Sequence, residues 1–429
     1  MGIFVAMQDQ DRDIHRLHGE DALSSLRSRR VYVKTFGCTH NVADTQKLCE
    51  VLRHQGCTIE ADPAAADAIV VNTCTVIEAT ERKVLKTLRA FAGRPLYVTG
   101  CMPAVQMEAV AASCNPVVID PGDIEDAYRR VRSVPPGPVA IIQVGQGCLG
   151  ACTYCITRRA RGRLTSYPRG EILARVAASA CRGAVEIRLT GQDLGAWGRD
   201  CGSDLASLLG GISGIRGDFQ VRVGMMNPVT LLPIVDRVVD AFRHPKVFSF
   251  LHLPIQSGSD RILRFMGRGY RVEDAEAIIA AFRRAIPEVC LTTDLICGFP
   301  GETEEDFEES LGLVSRIRPD KVNITRYSAR PGTPAARMKG MPDRFRKDRS
   351  RRLLAHAGTI LGQVNAPWVG RVVPVTVTEH IRAGSSMART HEYRAVVLAR
   401  ELVPGFRGAA RITAHRGYYF TGDLVGPHC

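Results

Sequence analysis

Three cysteines fall within eight positions of the stretch GCLGACTYC, at Cys148, Cys152 and Cys155. A tetrahedral structural metal site needs four ligands, and this run supplies three. Zinc motifs come as two separated pairs such as C-x2-C, and that pairing is missing here, so a zinc reading requires a distant His or Cys. A loop that presents three thiolates from one turn suits one face of a cubane iron–sulfur cluster. A [4Fe–4S] cube on three cysteines keeps one iron open to a ligand carrying an amine and a carboxylate. S-adenosylmethionine carries both, and the spacing points to it as the fourth ligand.

Three further cysteines stand far apart in sequence: Cys38 in TFGC, Cys74 in NTC and Cys101 in TGC. Each closes an expected strand. In an open parallel sheet the carboxyl ends of strands converge on a ligand crevice, so these thiols are placed to meet at one object. Buried structural cysteines are the alternative from position alone. Of fourteen cysteines, Cys49, Cys57, Cys114, Cys181, Cys201, Cys290, Cys297 and Cys429 show no ligand spacing. These read as small buried hydrophobes or surface thiols.

The elements that must position both trios follow from the pattern of apolar runs. From residue 31 to 133, VYVKTFGC, AIVVNTC and PLYVTGC read as strands separated by helical stretches, with PVVID a fourth. That alternation predicts an open parallel α/β domain. SVPPGP (133–138) reads as a linker. Over 139–360 a second series follows: AIIQVGQG, VEIRLTGQD, FQVRVGMMN, VFSFLHLP, CLTTDLICG and KVNITRYSA, with helices such as RGEILARVAASACRG and EEDFEESLGLVSRIR between them. Six βα units predict a partial (β/α)6 barrel, whose chemistry belongs at the carboxyl ends of its strands. Residues 366–429 break into short β-like runs and predict a small antiparallel β-barrel.

Several turns at those barrel strand ends are polar and rich in glycine. TGQDLG offers Thr190 and Gln192, LHLPIQSGSD offers Gln256 and Ser257, and DLICGFPGET offers Gly298. Any one alone is an ordinary βα turn; together they favour a cofactor site.

Lys plus Arg outnumber Asp plus Glu by 57 to 44, giving a net charge of +13. This excess favours a polyanionic partner such as nucleic acid. The C-terminal module carries eight arginines against four acidic residues and the aromatic run RGYYF (416–420), a composition suited to phosphates and loop bases. The basic helix 344–352, RFRKDRSRR, is expected to extend that surface. No apolar run is long enough to span a bilayer, and the expectation is a cytoplasmic protein with no membrane partner. Residues 1–30 are set aside as an extension of flexible character.

CLGACTYC resembles the cluster motif of radical S-adenosylmethionine enzymes, including the aromatic Tyr154 before the last cysteine. GCTHN, NTC and GC ahead of it, with HLPIQSGSDRILRFMGRGY and DLICGFPGETEEDF, resemble the methylthiotransferases within that group. The likeness runs from residue 31 to the C-terminus and implies a cluster domain, a radical barrel and a TRAM β-barrel. It implies two [4Fe–4S] clusters, with Cys38, Cys74 and Cys101 holding the one whose open iron carries the sulfur to be inserted. One S-adenosylmethionine methylates that sulfur, and a second yields the radical that takes hydrogen from the substrate carbon. Contacts to S-adenosylmethionine are expected from Tyr154, Thr190, Gln192, Gln256, Ser257 and Gly298. An electron donor such as ferredoxin or flavodoxin and a sulfur source are implied partners.

TFGCTHNVADT is similar to the archaeal and eukaryotic branch, which acts on N6-threonylcarbamoyladenosine at position 37 of the tRNA anticodon loop. Thr39 and His40 distinguish it from the isopentenyladenosine and ribosomal-protein branches. A C-terminal membrane anchor like that of some eukaryotic members is not expected. Methylthiolation of a ribosomal-protein aspartate is the competing enzyme reading. An RNA-binding iron–sulfur protein without that activity is the competitor from another class.

Overall fold

The run AIVVNT buries every side chain on both sides of its strand, as a central strand of a parallel sheet covered by helices must. It is β3 (Ala68–Thr73) of a five-stranded sheet ordered β2-β1-β3-β4-β5. The others are β1 (Arg30–Thr35), β2 (Thr58–Glu60), β4 (Leu96–Gly100) and β5 (Val117–Val118). All pairs are parallel. Alternation along β3 sends Ala68 and Val70 to a core with Leu23, Leu26, Leu48 and Ile124, and Ile69 and Val71 to one with Val84, Leu88 and Met102. Helices α1 (Gly19–Ser24), α2 (Thr39–His54) and α6 (Pro121–Val131) supply the first. Helices α3 (Glu78–Ala90), α4 (Cys101–Val105) and α5 (Met107–Ala111) supply the second. The order 2-1-3-4-5 is that of doubly wound sheets, whose ligand crevice opens at the carboxyl ends of β1 and β3.

This computed structural model describes residues 19–131 and 133–426. Residues 1–18 and Cys429 lie outside the described residues. The rest of the set-aside N-terminus is part of the first domain: Ala22, Leu23 and Leu26 are almost fully buried beside Val31 and Tyr97. Burial of those apolar side chains holds 19–30 to the sheet, which corrects the reading of the whole segment as a flexible extension.

The chain divides into two units between Ser133 and Val134. In the second, β6 (Val139–Gln143), a short hairpin of β7 (Gly145–Gln146) and β8 (Thr165–Ser166), β9 (Glu186–Thr190) and β10 (Gln220–Arg222) come first. Then follow β11 (Phe250–His252), β12 (Cys290–Cys297) and β13 (Lys321–Arg326). The parallel sheets β10-β9-β6 and β11-β12-β13 join through a Val221–Val247 bridge, giving the open six-stranded barrel. The loop helix α7 (Thr157–Arg161) follows the cysteine run. Around the strands lie α8 (Arg169–Cys181), α9 (Leu205–Ser213), α10 (Pro228–Leu231), α11 (Val235–Phe242), α12 (Asp260–Met266), α13 (Val272–Ala285) and α14 (Glu304–Ile317). Ile187, Leu189, Val221, Leu251 and Leu291 face this helical layer. Glu186, Arg188, Arg222 and His252 point the other way, so the lumen is polar.

Helix α15 (Asp343–Asn365) leads to a closed barrel ordered β14-β15-β16-β18-β17. Its strands are β14 (Val372–Arg382), β15 (Ser385–Arg389), β16 (Ala395–Leu398), β17 (Arg407–Arg416) and β18 (Tyr419–Val425). Four pairs are antiparallel, and β16–β18 is parallel. The two barrels, separate by sequence pattern, belong to one unit. Arg371 pairs with Glu288 at 2.8 Å, and Arg394 pairs with Asp320.

The basic helix is not a free cationic surface. Arg349 is buried against Glu302 at 2.6 Å and Glu304 at 3.2 Å, and Arg352 pairs with Glu304 and Glu308. Arg351 and Lys347 pair with acids of α15 itself. Acids at and just before the start of α14 take up Arg349 and Arg352, so the expected RNA-facing surface is cut back to the exposed Arg344, Lys347 and Arg351.

Candidate metal centres

Cys38 is the N-cap of α2, Cys74 follows β3 directly, and Cys101 opens α4 directly after β4. Because β1, β3 and β4 are neighbours in the sheet, the three cysteines are brought to adjacent strand ends. Sγ of Cys38 and Sγ of Cys101 each lie 3.9 Å from Oδ1 of one side chain, Asn41. Asn41 Nδ2 donates to the carbonyls of Phe36 (2.9 Å) and Thr73 (2.7 Å), locking the Cys38 loop to the Cys74 turn. Gly37 makes that approach sterically possible. Its φ is +112°, and a Cβ there would stand 2.7 Å from Cys74 Cβ and 3.0 Å from Cys74 Sγ. Cys74 and Cys101 are buried, whereas Cys38 is exposed.

The second trio lies on the loop after β6 and β7. Backbone N–H of Gly150 donates to Cys148 Sγ at 3.2 Å. Burial pushes the Cys148 thiol up to about 11, so binding iron rather than titration makes it a thiolate. Arg268 is buried in the turn after α12. Its Nη1 donates to Cys152 Sγ at 3.4 Å, and its Nη2 donates to Asn227 Oδ1 at 3.2 Å and Pro254 O at 2.7 Å. N–H donors on cluster sulfurs are a lever on cluster potential.

Among the described residues no three His, Cys, Asp or Glu side chains converge tightly enough to hold a single metal ion. A cubane places each cysteine on a different iron, so its ligands stand farther apart than those of one ion. Three thiols at each place match the ligand number of such a cluster; N–H donors face the sulfurs of Cys148 and Cys152, while Asn41 Oδ1 faces those of Cys38 and Cys101.

Comparison with known proteins agrees with this geometry. The Radical SAM superfamily model matches residues 142–314, and the uncharacterized protein family UPF0004 model matches residues 30–119. A probable threonylcarbamoyladenosine tRNA methylthiotransferase of Pyrococcus horikoshii is 38% identical, covering 92% of this chain and 99% of the relative. One of Archaeoglobus fulgidus is 37% identical over 86% of this chain and 92% of the relative. The threonylcarbamoyladenosine tRNA methylthiotransferase of Drosophila melanogaster is 33% identical over 93% and 78%. The chain belongs to the threonylcarbamoyladenosine tRNA methylthiotransferase family. The radical S-adenosylmethionine methyltransferase TsrM of Kitasatospora setae, solved with tryptophan and a cofactor analogue, shares the fold. Its TM-score is 0.50 at 13% identity, over 72% of this chain and 75% of that one.

The six cofactor candidates of this family member differ in what surrounds them. Gln192, beyond β9, has a buried Oε1 with no hydrogen-bond partner, an acceptor awaiting a donor. Thr190 is buried at the end of β9, beside Gln143. The Tyr154 ring packs edge-on against Phe299 at 6.1 Å. Gln256 holds a positive φ of +79° and bridges to Leu295 of β12. Ser257 is buried, and its Oγ accepts from Ser259 N–H at 3.2 Å, a local turn bond. Gly298 has φ +71°, and its open face meets Arg346, since a Cβ there would stand 2.4 Å from Arg346 Cγ. Gly258 likewise closes on the backbone of α14, with Glu309 O at 2.4 Å from a Cβ. Thr303 of the GFPGET run is the N-cap of α14 in a capping box with Asp306.

Asn41, Asp193 and Arg268 carried no role in the sequence reading. Asp193 Oδ1 accepts from the N–H groups of Gly195 (3.1 Å) and Asn227 (2.9 Å), fixing the TGQD turn against the Asn227 that Arg268 also grips. The available signal for Arg268 was an arginine between two glycines in MGRGY, directly after an apolar helix.

Proposed function

We propose that this protein converts N6-threonylcarbamoyladenosine at position 37 of tRNA to its 2-methylthio derivative. In this reading Cys148, Cys152 and Cys155 hold the radical cluster, and Cys38, Cys74 and Cys101 hold the sulfur-bearing one. The observation that carries it is the presence of two three-thiol sets at carboxyl strand ends, in a chain matched over nearly the full length of its archaeal relatives. When bound, the clusters and S-adenosylmethionine supply hydrogen abstraction and a methylated sulfur.

The chain's own residues bind, orient and exclude water. Arg268 and the Gly150 N–H place positive dipoles on Cys152 and Cys148. Gln192 offers its unpartnered oxygen to the cofactor's amino group, with Thr190 and Gln256 as flanking polar groups. Tyr154, Phe299 and Met266 form an apolar wall that keeps water out. On the C-terminal barrel Phe420 is core and Tyr418 docks on the radical barrel through Val322 O at 3.3 Å, which leaves the exposed ring of Tyr419 to stack on a loop base. An anticodon-loop base is already largely unstacked, so presenting it costs less than extruding one from a duplex. A ferredoxin or flavodoxin as electron donor, a separate sulfur source and a cytoplasmic location complete the reading. No helix among the described residues is long and apolar enough to cross a membrane.

The test is anaerobic reconstitution with iron, sulfide, S-adenosylmethionine, a reductant and tRNA carrying the threonylcarbamoyl group. Mass spectrometry of the digested tRNA is expected to show the 2-methylthio nucleoside. Thiomethylation of a ribosomal-protein aspartate instead, or cofactor cleavage with neither product, overturns the reading.

A further inference from the structure

On the lumen side of the radical barrel, Arg222 is a half-buried cation with no ion pair among the described residues. Its guanidinium, at the end of β10, makes no hydrogen bond or ion pair among the described residues. It is held by rings, 5.1 Å from the centroid of Phe250 and 6.0 Å from that of Tyr393. Desolvation lowers its affinity for the proton, with Tyr393 and Glu186 pulling the other way.

Arg222 lines a cavity of about 290 Å³. One wall is the lumen of the radical barrel, with His252, Thr292, Lys321 and Asn323. The other is the C-terminal barrel, with Arg389, Tyr393 and Arg394. The β15–β16 turn reaches the foot of the radical barrel to build that wall: Ser249 N–H donates to His391 O at 3.0 Å, and Tyr393 Oη donates to Glu186 Oε1 at 2.6 Å. Tyr393 does this at a φ of +64°, a strained conformation for an aromatic residue.

Four acids near the cavity are already engaged, while Glu392 in the β15–β16 turn acts on the lining thiol of Cys290 and pairs with none of these cations. Glu186 takes Arg188 at 2.5 Å, Asp320 takes Arg394, and Asp294 takes His252 at 3.1 Å and Asn323 at 2.6 Å. Glu379 stands 3.6 Å from both Arg188 and Arg389. Arg222 and Lys321 are the cations on this wall that form no ion pair, so the cavity has positive charge to spare and neutral donors beside it. A guanidinium fork matches a carboxylate in shape and charge.

We propose that this cavity is the specificity pocket for the N6 substituent, in which Arg222 pairs with the carboxylate of the threonylcarbamoyl group. The proposal rests on the functional reading above and adds the residue that recognises the modified base. Such a base enters from the carboxyl ends of the strands with its substituent pointing down the lumen. Isopentenyl or unmodified adenosine has no anion to offer Arg222.

The test compares anticodon stem-loops carrying threonylcarbamoyladenosine as the free acid and as its methyl ester. With the unaltered enzyme, kcat/KM for the ester is expected to fall at least about 30-fold, the scale for removing one member of a buried charged pair. Arg222→Met is expected to lose as much on the acid and nothing further on the ester. Arg222→Lys recovers part of the acid's advantage. Iron content reports whether each variant is folded, and if Arg222→Met fails to fold, the acid–ester comparison decides alone. Equal rates on acid and ester overturn the proposal, as does an equal loss on both with Arg222→Met. A matching loss of affinity for a stem-loop with unmodified adenosine assigns Arg222 to an RNA phosphate and also overturns it. No methylthio product from the unaltered enzyme on the acid signals failure of the functional reading itself.

Discussion

The two cysteine trios do the same kind of work from opposite kinds of sequence. Cys148, Cys152 and Cys155 come from one loop, and their spacing is the site. Cys38, Cys74 and Cys101 come from three strand ends, and only the neighbouring of β1, β3 and β4 unites them. The local trio is tuned from outside its loop, by Arg268 arriving from the turn after α12. The dispersed trio is gathered from inside, by Asn41 and by the missing side chain of Gly37. A site made by one loop tolerates backbone adjustment. A site made by three strand ends depends on the close packing of turns that meet nowhere else in sequence.

The largest effect separates the trios outright. Replacing Cys148, Cys152 and Cys155 together by Ala is expected to lower reconstituted iron from about eight to about four atoms and abolish 5′-deoxyadenosine formation. Replacing Cys38, Cys74 and Cys101 is expected to remove a similar amount of iron while reductive cleavage persists. Loss of cleavage in both sets breaks the distinction.

Gly37→Ala comes next. The positive φ and the contact with Cys74 predict roughly 2–4 kcal/mol of destabilisation in the first unit, read by denaturant unfolding together with loss of iron from the dispersed trio alone. Unchanged stability refutes the packing argument.

Arg268→Met should act only on the local trio. Cleavage is expected to fall about 10- to 100-fold, as for loss of a group supporting a metal ligand, with a shifted cluster potential by redox titration and normal iron at Cys38, Cys74 and Cys101. An unshifted potential makes Arg268 merely structural.

Gly150→Ala should matter least. Gly150 has no positive φ, and a Cβ would stand 3.3 Å from the movable Cys148 sulfur. A stability change within about 0.5 kcal/mol is expected. A loss as large as that of Gly37→Ala erases the contrast between the trios.

Much of the fold was legible because its strands are short apolar runs between amphipathic helices, a pattern fixed by burial on one or both faces. The cysteine loop was legible because its ligands are local. What escaped was what depends on partners. RFRKDRSRR reads as a nucleic-acid surface until Glu302 and the α14 acids Glu304 and Glu308 are found beside two of its arginines. Gly298 reads as a contact for a cofactor, yet its free face receives Arg346. In each case the sequence supplies a charge or a gap, and packing decides what meets it.

By itself the sequence determined the chemistry that is available: six thiols in two sets, a parallel α/β sheet, an open barrel and a basic β-barrel. Periodicity and local spacing are properties of neighbouring residues, so they survive without a structure. Tertiary structure alone decided that Asn41 ties two cysteine loops together, that Arg268 reaches Cys152, and that Arg222 stands unpaired in a cavity closed by Tyr393. Those facts are set by which strand ends and turns are neighbours in space. Neighbourhood comes from the burial of whole faces, and no short segment records it.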